Sequence, residues 1–219
     1  MSGIRTRLPR ARRRVLAGAL VWVVLVFGGL LVLVDHASAP GAAALAPVRW
    51  PGDSVLARDD RRPTLVALLH PKCPCSRATA VELQRLVARL PHRLAIDIVL
   101  LQPAAGEEPW NDSAMRASLA GLPDVHVYGD PGGVESTRFG ARTSGQLLLY
   151  DSGGALRFAG GITPARAHEG DTYGADAIVD AVLSARDVDG VDPHMATSPV
   201  FGCSLGTAPS GRAAGRAAS

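Results

Sequence analysis

Residues Val15 to Val34, VLAGALVWVVLVFGGLLVLV, are twenty in succession without a charged side chain. As a helix, such a run matches the hydrocarbon core of a bilayer, which takes about 20 apolar residues. Six arginines (Arg5, Arg7, Arg10, Arg12, Arg13 and Arg14) precede it with no acid among them, and few basic residues come closely after it. That imbalance keeps the arginine side in the cytoplasm and sends the chain beyond Val34 across the membrane. The expectation is a single-pass protein of a bacterial inner membrane: a basic cytoplasmic tail at 1–14, an anchor at 15–34 and the remainder periplasmic. The rival is a signal peptide cleaved near Ala37-Ser38-Ala39, which would release a secreted domain. Signal peptides usually carry a shorter apolar core, about 7–15 residues, so the anchor is preferred. A buried helix of a soluble protein would not need the arginine block. Either leading reading delivers the domain to a compartment where disulfides persist.

The same arginines explain the charge. The formal net charge is +3, and without those six residues the rest of the chain carries −3. The basicity therefore belongs to the tail. No basic stripe with interleaved aromatics is present, which argues against nucleic acid as a partner.

Behind the anchor, residues 35–62 are rich in Ala, Pro and Gly, with a charged cluster from Arg58 to Arg62, and read as a linker. Trp50 within it reads as a local packing residue. From Pro63 the pattern changes. Thr64 to Leu69 (TLVALL) is a short apolar run of the kind a buried strand uses. His70-Pro71-Lys72-Cys73-Pro74-Cys75 comes next as a turn, because two prolines disrupt a strand. Helix signals start at Ser76. Leu83, Leu86, Val87 and Leu90 share one face, with Glu82, Gln84, Arg85 and Arg89 opposite, until Pro91 stops the pattern. Leu94 to Leu101 reads as a second buried strand. Asn111, Asp112 and Ser113 offer N-caps for a helix to about Leu119. Val125 to Tyr128 is a short strand, and Gly129 to Gly140 a loop with one helical turn at Val134 to Phe139. Gln146 to Tyr150 and Ala155 to Ala159 form a hairpin over Asp151-Ser152-Gly153-Gly154. Ala175, Ile178, Val179, Val182 and Leu183 make a closing helical stripe. The expected fold is α/β: a central mixed sheet flanked by helices over residues 63–186, its first two strands parallel through a βαβ unit. Residues 187–219 are expected to be irregular.

The chain has three cysteines, Cys73, Cys75 and Cys203. The first two stand where a buried strand passes into a helix. Unpaired N–H groups and the positive end of the helix dipole favour a thiolate there. Lys72, the one lysine of the chain, adjoins Cys73 and would favour it further. A thiolate is the attacking group in disulfide exchange. Cys73 is the expected nucleophile, as the residue nearer solvent on the turn. Cys75 is the first choice to resolve the mixed disulfide, with Cys203 as the alternative. Three cysteines leave one unpaired in any oxidised monomer. A Cys73–Cys75 bond would close an unusually small ring, whose strain would ease its reduction.

The order strand, cysteine turn, long helix, strand, late hairpin and helix resembles the thioredoxin superfamily over about Pro63 to Arg186. More closely, HPKCPCSRAT, FGARTSGQLLLYD, GGITPARAHEGDTYGADAI and VFGCSL resemble the RedB-like proteins, extending the likeness to about Leu205. The resemblance implies a redox protein that acts on protein thiols or disulfides without a dissociable cofactor. It also implies that His70, Pro74, Thr143 and Ser144 line the site. Two departures stand out. One residue separates the cysteines where thioredoxins have two. Arg142-Thr143-Ser144-Gly145 occupies the place of a cis-proline that binds substrate main chain in the superfamily.

Two readings of other classes compete. Cysteine thiolates suit Cu(I), so Cys73, Cys75 and His70, or His168, are the candidate ligands of a metal-delivery protein. A thioredoxin fold used only for binding would also explain the missing proline. A peroxidase of the peroxiredoxin type is disfavoured, since Val66 and His70 stand at the positions of its Pro and Thr or Ser. Arg166, His168 and Glu169 cluster in a Gly-rich stretch and read as a solvated loop.

Overall fold

The computed structural model describes residues 9–104, 106–108, 110, 113–184 and 195–205 of the 219. The chain divides into two units, Met1–Ala39 and Pro40–Ser219. The first carries helix α1 (Arg10–Ser38). Its residues Ala11–Ser38 are long and apolar enough to cross a membrane. The helix overruns the uncharged stretch at both ends. Arg5 and Arg7 lie outside the described residues.

The second unit is built on a sheet whose middle is the TLVALL run. Strand β1 (Thr64–Leu69) is buried along its whole length. Parallel strand β2 (Ala95–Gln102) pairs on one side and antiparallel β4 (Gln146–Tyr150) on the other. A strand covered on both faces needs apolar residues at every position, which is what TLVALL supplies. Strands β3 (Val125–Pro131), β5 (Leu156–Gly160) and β6 (Ala196–Thr197) complete the order β3-β2-β1-β4-β5-β6.

Alternation along β1 divides the core into two layers. Leu65, Ala67 and Leu69 face helix α2 (Pro74–Arg89) through Leu83 and Leu86, and helix α5 (Tyr173–Ser184) through Ile178 and Val182. Leu119 of α3 (Ser113–Ala120) joins this layer. Val66 and Leu68 point the other way, to Phe139, Leu148, Tyr150 and Leu156, beside the short helix α4 (Val134–Arg138). Asn111 and Asp112, offered as caps for α3, lie outside the described residues.

Two segments depart from the sequence expectation. Residues 40–62 are not a free linker. Leu45 N–H donates to Gly140 O at 2.9 Å, Trp50 N–H to Gly154 O at 2.8 Å, and Leu156 N–H to Val48 O at 3.0 Å. Gly140 has φ +65°, and a Cβ there would collide with the Leu45 carbonyl, so this contact requires glycine. Trp50 sits edge-on to Phe139 and Tyr150, with centroids 5.2 and 5.3 Å away. Backbone pairing of this kind leaves no periodic signal in sequence. Trp50→Ala should therefore destabilise the domain by about 2 kcal/mol, less than a fully buried tryptophan because Trp50 is only partly buried. Denaturant melts of the variant check this; a loss near zero would mean that the segment is a loose linker after all.

The second departure is the tail. Of residues 187–219, expected to be irregular, 195–205 are described and packed. Strand β6 pairs parallel with β5, and Val200, Phe201 and Leu205 are buried. The rest, 187–194 and 206–219, lies outside the described residues.

Candidate functional site

The end of β1 fixes the cysteine turn. Cys73 N–H donates to His70 O at 3.0 Å, and Ser76 N–H to Cys73 O at 3.0 Å. Cys73 is thereby the N-cap of α2, with Pro74 at the first helical position, where its missing N–H costs nothing. The helix thus starts two residues earlier than its sequence signals. The loop before β4 closes on the turn from the far side. His70 N–H is shared between Ser76 Oγ at 3.1 Å and Ser144 Oγ at 2.9 Å, and the two hydroxyls are 2.5 Å apart. Ser144 therefore meets the cysteine turn directly.

The tail runs along that same loop. Ser144 N–H donates to Cys203 O at 2.8 Å, Leu205 N–H donates to Arg142 O at 2.8 Å, and Ser204 bridges Thr143 in antiparallel sense. Arg166 holds the strand from outside, its guanidinium donating to Gly202 O at 2.6 Å. This track brings Cys203 Sγ to 2.7 Å from Cys73 Sγ, both thiols being free. The sequence reading ranked Cys75 ahead of Cys203 as partner of Cys73. It is the Cys203 sulfur that lies against that of Cys73. Nor is Cys73 the solvent-facing residue of the turn: it is 1% exposed and Cys75 4%, while Cys203 is exposed. The tail strand roofs the turn, and no local feature of HPKCPC reports that roof.

The electrostatics separate the three thiols. Burial pushes Cys73 up, but the Cys203 thiol and the backbone N–H groups of Cys203, Ser76 and Cys75 together hold it below its ordinary value. Burial pushes Cys75 up, as does the Cys73 charge, against the Ala167 N–H and Arg166. The Cys203 sulfur, packed against Cys73 although the residue is otherwise exposed, is pushed up to about 12 by desolvation, by its hydrogen bond to Cys73, and by the charges of Cys73 and Cys75, with Arg166 opposing. Of the three thiols, Cys73 is therefore the one whose surroundings favour the thiolate, and Cys203 the one held toward the thiol.

Lys72 stands elsewhere. Its ammonium lies 5.0 Å from the Trp110 ring centre, a cation–π contact. His70 stacks on the same ring at 4.7 Å and accepts the Lys72 N–H on Nδ1 at 3.1 Å. Burial holds His70 below its ordinary value, and Lys72 adds to this. Among the described residues no three His, Cys, Asp or Glu side chains form a group able to hold a metal ion, so Cys73, Cys75 and His70 do not converge. His168, the other ligand considered, turns Nδ1 to Arg166 O at 2.7 Å. Trp110 and Arg166 are the site residues that sequence missed. The Arg166 cluster was visible, but its place beside the thiols comes only from the fold.

No family profile and no curated protein sequence matches this chain. Solved structures do. An uncharacterised conserved protein from Geobacillus kaustophilus superposes at TM-score 0.56 and 18% identity, over 80% of this chain and 95% of that one. A hypothetical protein from Sinorhizobium meliloti superposes at TM-score 0.52 and 20% identity, over 76% and 93%. A secreted disulfide oxidoreductase from Mycobacterium tuberculosis superposes more loosely, at TM-score 0.40 and 15% identity, over 57% and 83%. Likeness at these identities speaks for architecture. Combined with the sheet order and the strand–turn–helix that carries Cys73, it establishes a thioredoxin-like fold behind an N-terminal apolar helix.

Proposed function

We propose that this protein is a membrane-anchored thiol–disulfide exchange protein working outside the cytoplasm, with Cys73 attacking and Cys203 resolving. The observation that carries the reading is the 2.7 Å approach of the Cys73 and Cys203 sulfurs. The arginine block before α1 supports the orientation. The stretches HPKCPCSRAT and VFGCSL, which resemble the RedB-like proteins, hold the two sulfurs of this pair.

The Cys73 thiolate attacks one sulfur of a substrate disulfide. A Cys73–substrate bond forms, the substrate S–S bond breaks, and the leaving sulfur departs with the electron pair and takes a proton from water. Cys73 is then neutral. That removes both a charge and a hydrogen-bond acceptor that kept the Cys203 proton in place. Cys203 loses its proton to water, attacks Cys73 Sγ and releases the second substrate thiolate. The substrate gains two electrons and the protein is left with a Cys73–Cys203 disulfide, which an external dithiol reduces. Run in reverse, the same steps oxidise a substrate dithiol. Pro74 and the α2 N-terminus set the Cys73 geometry throughout.

Mass spectrometry of the full chain, oxidised mildly and digested without reductant, tests the pairing. The expected product joins the Cys73 and Cys203 peptides and leaves Cys75 alkylated. A Cys73–Cys75 bond would move the resolving role to Cys75. Three thiols that resist both oxidant and alkylation would sink the exchange reading.

A further inference from the structure

The Ala165–His168 loop, between β5 and α5, is tightly built where it meets the thiols. His168 N–H donates to Ala165 O at 3.3 Å, and His168 Nδ1 lies 2.7 Å from Arg166 O. Ala167 has φ +57°, a left-handed conformation that a residue with a Cβ adopts at a cost. The loop brings two donors to the thiol cluster. The Ala167 N–H meets Cys75, and the Arg166 guanidinium donates at 2.6 Å to the carbonyl of Gly202, the residue before Cys203. Arg166 Nε is buried and has no hydrogen-bond partner among the described residues. We infer that Arg166 is a positioning residue for the resolving step: through the Gly202 carbonyl it holds the strand that carries Cys203, and it supplies the positive charge beside that thiol when the thiol gives up its proton. The inference rests on the exchange reading, in which Cys203 resolves.

The need for such a charge arises within the cycle. The mixed disulfide leaves Cys73 neutral. Cys203 then has to release its proton to water, bond its sulfur to Cys73 Sγ, and let the substrate sulfur leave with the electron pair. A sulfur partly withdrawn from water ionises poorly unless a positive charge or a donor meets it. The other charged and titratable groups on the elements around the Cys203 strand do not fill that role. Cys75 pushes Cys203 toward the thiol. Lys72 and His70 are engaged with the Trp110 ring. Glu169 lies 3.4 Å from Arg85, and Arg142 and His168 are exposed. Arg166 is the group that favours the Cys203 thiolate, and it is fixed to the neighbouring backbone. Its Nε adds a second argument. A buried N–H without a partner is costly in the resting protein. A guanidinium held in this way has a donor to spare for a sulfur anion.

Titration of Cys203 in the detergent-solubilised full chain tests this. Cys73→Ser removes the Cys73 charge as the mixed disulfide does, and the exposed Cys203 is open to iodoacetamide. Its labelling rate from pH 6 to pH 11, followed by peptide mass, reports the thiolate. Adding Arg166→Gln should move the midpoint up by about one pH unit or more, the effect of losing a neighbouring opposite charge. Arg166→Lys keeps the charge and should move it less than half as far. With all three cysteines present, Cys73 forms a mixed disulfide with hydroxyethyl disulfide. At pH 7 that adduct should last about tenfold longer in Arg166→Gln, because the more basic thiolate regains only part of the loss through its nucleophilicity. Arg166→Lys should recover most of the wild-type rate. Should Arg166→Gln fail to fold by circular dichroism, Arg166→Met removes the charge by a second route. Midpoints that coincide across the variants would overturn the inference, even with a longer-lived adduct, since Arg166 would then be a structural clamp alone. Adduct lifetimes within twofold of wild type would overturn it as well. Failure of the exchange reading looks different. Cys73 would then take no adduct from hydroxyethyl disulfide in any variant, while the Cys203 midpoint still moved with Arg166.

Discussion

Cys203→Ser will attack a disulfide and fail to finish. Once Cys73 has formed its mixed disulfide with a small probe such as hydroxyethyl disulfide, that adduct should outlive the wild-type adduct at least about a hundredfold. Effective concentration sets the ratio. Well-oriented intramolecular groups reach effective molarities of about 10⁵ M or more. An exposed thiol on a tail segment will fall far short of that. Even an effective concentration of about 0.1 M, against roughly 1 mM of external thiol, gives the hundredfold. The structure supplies the orientation, since the tail strand sets Cys203 Sγ at 2.7 Å from Cys73 Sγ. It also supplies the timing. Desolvation of its sulfur and the neighbouring Cys73 group both push the Cys203 thiol up, and the mixed disulfide abolishes the second of these. Acid quenching followed by intact-mass measurement counts the adduct directly. The comparison that decides the matter is Cys75→Ser, which leaves Cys203 in place and should release the probe as wild type does. A long-lived adduct in Cys75→Ser, with rapid release from Cys203→Ser, would transfer the resolving role to Cys75.

The parts of this site that were legible in sequence are those set by local chemistry. TLVALL announced a strand buried on both faces, and the α2 stripe announced the helix that packs on it. Together they placed Cys73 at a helix N-terminus, where its thiolate is favoured. Asp151 to Gly154 announced the hairpin that comes after the Thr143–Ser144 loop. The pairing of Cys203 could not be read. It depends on backbone bonds between Gly202–Leu205 and Arg142–Ser144, made by atoms every residue possesses. Strand β6 is two residues long, too short for alternation to register. The packing of 40–62 was hidden for the same reason. Lys72 misled in the opposite direction. Adjacency in sequence suggested a charge beside Cys73, but the side chain extends to Trp110.

Asp97→Asn should change how stability depends on pH by about 3 kcal/mol. Asp97 lies in the middle of β2, paired between Val66 and His126, and is 2% exposed. Among the described residues its Oδ2 has no hydrogen-bond partner, and its Oδ1 is 3.6 Å from Nδ1 of a largely exposed His126. Burial pushes its carboxyl up to about 6, with His126 opposing. The unfolded chain loses this proton near pH 4 and the folded chain only near pH 6, so the folded state binds more protons in between. The Asp97 contribution to stability is therefore most favourable below pH 4, falls as pH rises from about 4 to 6, and is level above that. A difference of about two pH units corresponds to about 3 kcal/mol. Asparagine has nearly the same shape and no charge to bury, so its own curve should lack this step. Any fixed cost of the amide shifts the asparagine curve uniformly. The gap between variant and wild type should accordingly move by about 3 kcal/mol in the variant's favour between pH 3.5 and pH 7. Urea melts of the detergent-solubilised chain at the two pH values measure it. Parallel curves would mean that Asp97 ionises in the folded protein as freely as in the unfolded one, through water reaching it beside His126. A step of the expected size would make Asp97 a standing cost at neutral pH. Asp97 belongs to the face of the sheet that α2 does not cover, since its strand neighbours Val99 and Leu101 pack with Phe139 and Tyr150. That cost is then separate from thiol chemistry, and the asparagine variant should exchange disulfides as wild type does.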